Sequence, residues 1–178
     1  MSNYFHLNLD LYPLKKSSTL DLIKPHVHTK IPASELNQDL INFLASKDIY
    51  IYNVQTFSLI PDYVQPIHID GQGGDIAKIN FLFGGGDSLM QWYKEKPGAP
   101  RVFNKTPAGT LYQDFSYDQV EILESCTLKF PSLVQVGIPH NLINKQEHLI
   151  CISILLADIN SNLVPVGQVK SKLEQFIE

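Results

Sequence analysis

Between Asp48 and Ala157 the sequence is a succession of short runs rich in aromatic and β-branched residues, broken repeatedly by Gly, Pro, Asn or Asp and nowhere by a long helical pattern. The runs are Asp48 to Ile60, Val64 to Asp70, Ile76 to Phe83, Ser88 to Tyr93, Gly109 to Phe115, Val120 to Phe130, Leu133 to Ile138 and Leu149 to Ala157. Strands delivered at this spacing pair with their neighbours as an antiparallel sandwich or barrel. Parallel doubly wound sheets need a crossover helix between strands, so that class is disfavoured and a mainly β fold is expected.

Helices are confined to the flanks. Ser34 precedes Leu36, Leu40, Phe43 and Leu44, whose spacing predicts a helix over 34–46 with Ser34 as its N-cap. Val169, Leu173, Phe176 and Ile177 predict a second over 168–177. Tyr4 to Tyr12 alternates apolar and polar residues and reads as an opening strand, while Lys94 to Pro107, with Pro97-Gly98-Ala99-Pro100 inside it, reads as a long irregular loop. A chain of 178 residues is expected to form one domain over 1–178.

Composition excludes several functions. With 44% hydrophobic and 18% charged residues the chain can bury a core, which excludes wholesale disorder. Its formal charge is 14 − 18 = −4 and no segment concentrates lysine, so nucleic acid is not an expected partner. No basic stretch followed by an apolar run opens the sequence and no window is apolar enough to span a bilayer, so a cytoplasmic protein without a membrane partner is expected. Oligomeric state is left open. Cys126 and Cys151 both lie in strand-like sequence and read as buried thiols. Of the 14 basic residues only Arg101 is arginine, so a planar bidentate anchor has one candidate.

The densest polar group is Gln65-Pro66-Ile67-His68-Ile69-Asp70-Gly71. In a strand, His68 and Asp70 project to one face, and an imidazole and a carboxylate on one face are two of the three ligands of the facial site that binds Fe(II) with open coordination positions. A hydrogen-bonded His–Asp pair inside a core is the competing reading. The best third ligand is His140, which follows Gly137-Ile138-Pro139 at the end of a strand-like run.

These residues resemble the Fe(II)- and 2-oxoglutarate-dependent oxygenases of the double-stranded β-helix fold, which carry H-x-D followed much later by His. Ile67 to Tyr93 is similar to the small bacterial and phage members related to aspartyl/prolyl hydroxylases, and Leu133 to Leu156 is similar to their distal pattern of a strand into Pro-His, a polar loop and a final strand. The resemblance implies a jelly-roll, cupin-like fold, Fe(II) held by His68, Asp70 and His140, and 2-oxoglutarate as co-substrate. It also implies hydroxylation of a small-molecule or peptidyl substrate. The family's usual arginine, about ten residues past the distal His, is missing here, and His148 stands roughly in its place. His148, Lys78 or Arg101 is then the expected carboxylate anchor, with Asn80 a hydrogen-bond donor to the bound acid. Trp92, Tyr93 and Tyr63 are expected around the substrate. The alternative is a non-catalytic, or 2-oxoglutarate-independent, metal-binding cupin-like module.

Gly84-Gly85-Gly86-Asp87 lacks the Lys-Ser/Thr of a phosphate loop and reads as a turn. His26 and His28 form a second same-face pair with no carboxylate nearby, and read as surface strand residues.

Overall fold

The computed structural model describes residues 2–17, 28–106, 109, 111–128 and 131–178. Among the described residues, twelve strands form two six-stranded antiparallel sheets. The first contains β1 (Tyr4–His6), β2 (His28–Lys30), β3 (Tyr50–Leu59), β5 (Ala77–Gly84), β10 (Ser132–Gln135) and β12 (Leu149–Ala157), in the order β1-β10-β5-β12-β3-β2. The second contains β4 (Ile67–Asp70), β6 (Leu89–Glu95), β7 (Val102–Lys105), β8 (Leu111–Phe115), β9 (Val120–Thr127) and β11 (His140–Ile143), in the order β7-β8-β4-β11-β6-β9. From β3 to β6, and again from β9 to β12, each successive strand crosses to the other sheet. The fold is therefore a double-stranded β-helix, or jelly roll, with flanking helices.

Both faces of the first sheet are covered. Its outer face packs Ala77, Ile79, Phe81, Ile152, Ile154 and Leu156 against Leu40 and Leu44 of helix α1 (Gln38–Ala45), and against Val166, Val169 and Leu173 of helix α2 (Val166–Leu173). This two-sided burial explains why β5 and β12 read as nearly unbroken apolar runs. The polar residues that interrupt them, Lys78, Asn80 and Ser153, alternate with the outward-packed set and so face the other sheet. Between the sheets, Leu82, Met90, Trp92, Val134, Val136, Leu142, Leu149 and Cys151 fill one end of the sandwich. The other end is left for the site.

Several elements differ from expectation. Helix α1 begins at Gln38, and its N-cap is Asn37, whose side chain accepts from the Asp39 amide, because Ala33–Glu35 forms a separate 3-10 turn and Leu36 leaves the helix to bridge Leu14. The expected strand Tyr4 to Tyr12 pairs only over Tyr4–His6. Beyond it Leu7 and Leu9 remain buried against the helical layer, so the alternation records a packed extended segment with little ladder pairing. Lys94 to Pro107 is not loop throughout, since β6 runs to Glu95 and Val102–Lys105 forms the edge strand β7. The segment Val64 to Asp70 contributes only Ile67–Asp70 as strand, because Pro66 has no amide to give a ladder. Phe130 and His26 lie outside the described residues. Among the described residues, no helix is long and apolar enough to cross a membrane.

Candidate metal centre

His68 and Asp70 alternate with Ile67 and Ile69 on β4. The two isoleucines are buried in a small outer cluster with Tyr93, Phe115 and Val120, which forces the imidazole and the carboxylate toward the sandwich interior. His140 was expected at the end of a strand. It begins a strand of its own, β11, which inserts between β4 and β6 and places His140 directly opposite His68 on one side and Trp92 on the other. One ligand atom from each of His68, Asp70 and His140 lies within 4.8 Å of the others. Strand register alone brings together residues 70 positions apart in the chain.

The donor chemistry of this cluster fits a divalent metal. The Nδ1 atoms of His68 and His140 lie 2.8 Å from the Pro66 carbonyl and 2.9 Å from the Ile138 carbonyl, contacts that require Nδ1–H and leave each Nε2 with a free lone pair. Asp70 is held by Lys78, whose Nζ donates to Oδ2 at 2.6 Å, while Oδ1 lies 3.7 Å from Nε2 of His68. Two imidazole nitrogens and one carboxylate oxygen are thus oriented by other groups and not used by them. That is the ligand set of a facial triad.

The electrostatics follow from the same contacts. Burial opposes ionisation of Asp70, but the Lys78 ammonium, then His68 and His140, hold its carboxyl far below the usual carboxylate range. Burial, then the neighbouring His68, push His140 down to about 3 from its ordinary 6.5, with Asp70 and the Ile138 carbonyl opposing. His140 therefore stays neutral in the native state while the unfolded chain takes up a proton below about 6.5. Its contribution to stability is complete above that value and is lost as pH falls toward 3. The metal-free protein should lose about 1.4 kcal/mol per pH unit across this window from His140. Urea unfolding at about pH 7 and pH 5 checks this, and a His140→Leu variant should have a pH dependence shallower by one proton.

The triad lies in the wall of a cavity of about 290 Å³, lined by Gln55, Phe57, Tyr63, Lys78, Asn80, Tyr112 and Asp114, among others. A small-molecule site of this size suits a metabolite or a single side chain. Of the residues expected around the bound acid and the substrate, Tyr63, Lys78 and Asn80 line it. Four others do not. Arg101 is half exposed and donates to Glu95 on the outer surface. His148 follows the β11–β12 turn, and its Nε2 is enclosed without a hydrogen-bond partner, away from the cavity. Trp92 is fully buried, donates Nε1–H to the Gln135 carbonyl at 2.7 Å and stacks on Tyr4, so it is core material. Tyr93, the next residue of β6 after Trp92, projects to the opposite face and joins the outer cluster, where its hydroxyl lies 2.9 Å from Gln91 Oε1 and 3.1 Å from Asn141 Oδ1.

His28, read from the sequence as a surface strand residue, also lines the cavity, as do Gln55 and Ser153, which the sequence did not single out. Gln55, His28 and Ser153 form a polar row with Asn80 across the inner face of the first sheet. His28 Nε2 meets Gln55 Oε1 at 2.9 Å, and Ser153 donates to Asn80 at 2.7 Å. A polar residue in an otherwise apolar strand was a readable signal for Ser153, whereas Gln55 shares its strand with Asn53, Thr56 and Ser58. Asp114 carried none. The two cysteines are buried and unpaired, and burial raises both thiols, Cys126 to about 12.

Fold and site define a jelly-roll protein with a candidate His–Asp–His metal centre facing a cavity between the two sheets. No protein-family model matches the chain, and no curated protein does. Solved structures of similar shape include pumpkin seed globulin (14% identity, 68% of this chain, 28% of that chain, TM-score 0.34). The coconut allergen cocosin matches at 10% identity over 86% of this chain and 32% of that one, TM-score 0.37. Oxalate decarboxylase from Bacillus subtilis matches at 12% identity over 94% and 35%, TM-score 0.34. The chain spans about a third of the length of these proteins or less. Scores this low bear no weight, and the fold assignment rests on the strand order above.

Proposed function

We propose that this protein is a non-haem Fe(II)- and 2-oxoglutarate-dependent oxygenase that hydroxylates a small-molecule or peptidyl substrate. The observation that carries the reading is the convergence of His68, Asp70 and His140, each oriented by a separate hydrogen bond or ion pair, on the wall of a cavity. Fe(II) held there would couple oxidative decarboxylation of the 2-oxo acid to hydroxylation of a C–H bond. The Pro66 and Ile138 carbonyls keep both imidazoles in the tautomer that ligation needs, and Lys78 keeps Asp70 ionised. Lys78 is also the one lysine or arginine among the described lining residues, so it replaces the missing arginine as counter-ion to a bound carboxylate, with Asn80 beside it.

A second reading, a metal-binding jelly-roll module that does not use 2-oxoglutarate, is favoured by one observation. Lys78 is already paired with Asp70, and no arginine is found among the described lining residues. An anaerobic titration of metal-free protein with Fe(II), then 2-oxoglutarate, separates the two. The oxygenase reading expects stoichiometric Fe(II) binding followed by a weak visible charge-transfer band, absent in His68→Ala. Fe(II) binding with no band favours the second reading, and no Fe(II) binding overturns both.

A further inference from the structure

We infer that the cavity recognises a substrate bearing a cationic nitrogen, an ammonium or guanidinium, and that Asp114 is the residue that reads it. This rests on the proposed function only in taking the cavity as the substrate site. Two carboxylates are found among the described lining residues, Asp70 and Asp114. Asp70 is neutralised by Lys78. Asp114 sits on β8 directly opposite His68, and no lysine or arginine among the described residues forms an ion pair with it. Its Oδ2 accepts from Asn104 Nδ2 at 2.6 Å, which fixes the carboxylate, while Oδ1 is enclosed and has no hydrogen-bond partner.

A buried carboxylate oxygen without a donor is costly, and it is retained where a ligand supplies the donor. Tyr112, two residues earlier on the same face of β8, lines the same cavity, with its ring edge-on to His68 at a centroid distance of 6.2 Å. A carboxylate beside an aromatic ring is the pairing that takes an organic cation in preference to a neutral group, through a charge-assisted hydrogen bond and a cation–π contact. The position also suits chemistry, because the register that pairs Asp114 with His68 would hold the cationic end of a substrate next to the metal centre.

The test uses metal-free full-length protein titrated with n-butylammonium and agmatine against the neutral isostere 1-butanol, followed by ligand-observed NMR. Wild type should bind one of the cations saturably and roughly tenfold or more tightly than 1-butanol. Asp114→Asn should lose that preference while keeping its melting temperature and its Fe(II) stoichiometry. Should the variant fail to fold, intermolecular NOEs from the bound cation to the Tyr112 ring in wild type decide the matter, and their absence overturns the inference. Equal binding of cation and alcohol by wild type overturns it, as does a preference that survives in Asp114→Asn. Loss of Fe(II) from a folded Asp114→Asn would make Asp114 a metal ligand and overturn it too. A wild type that prefers the cations but binds no Fe(II) leaves this inference standing and removes the metal reading alone.

Discussion

Asp70→Ala should abolish stoichiometric Fe(II) retention and, in the metal-free protein, should also cost about 3–5 kcal/mol of stability. The two effects have one origin. Asp70 presents Oδ1 toward the histidines and uses Oδ2 to neutralise Lys78, whose side chain is only 12% exposed. Truncation removes a ligand and leaves an enclosed ammonium without its counter-ion. A double variant, Asp70→Ala with Lys78→Met, separates the consequences, since it should recover most of the lost stability and none of the metal binding. Metal analysis after desalting and urea denaturation measure the two quantities. Undiminished iron in Asp70→Ala would remove Asp70 from the ligand set, and a double variant no more stable than the single would show that the ion pair contributes little.

Gly137→Ala should be nearly as damaging although it alters no ligand atom. A Cβ at Gly137 would lie 2.0 Å from the backbone oxygen of Gly74 and 2.8 Å from its carbonyl carbon, and neither can swing aside as a side chain would. This contact joins the loop that follows Asp70 to the segment that precedes His140. Around it, the Gly74 amide donates to the Gly137 carbonyl at 3.0 Å, and Gln135 Oε1 accepts from the amides of both Gly137 and Ile76. Forcing the two segments apart should cost about 3 kcal/mol and weaken Fe(II) binding. Gly71→Ala is the comparison. Gly71 has a positive φ of 63° but nothing within 4 Å of an added Cβ, so it should lose only about 1 kcal/mol and keep its metal. Gly137, unlike Gly71, has no positive φ, so equal behaviour of the two variants would show that the contact between the segments contributes little.

Much of the site was legible in the chain because it is written at short range. The alternation of a strand puts His68 and Asp70 on one face whatever the fold around them, and the apolar residues between and beside them face the other way. The strand succession and the scarcity of helix likewise indicated an antiparallel sandwich. Lys78 and Asn80 were conspicuous as polar positions in an apolar run, and both line the cavity.

What the sequence could not decide is which residues from distant strands share that face. Trp92 and Tyr93 are equally plausible pocket residues as text. The alternation of β6 sends the two to opposite faces, the outer cluster takes up Tyr93, and a hydrogen bond to the Gln135 carbonyl commits Trp92 to the core. Arg101 and His148 were candidates by residue type, and the edge on which each falls places both outside the cavity. Asp114 is the converse case. It is an ordinary acidic residue in a short strand until the pairing of β8 with β4 sets it opposite His68. Local backbone geometry, with its period of two, determined from sequence alone that His68 and Asp70 share a face. That His140 joins them, that Lys78 partners the carboxylate and that Asp114 lies opposite His68 were decided by contacts between segments far apart in the chain, which only the folded sheets specify.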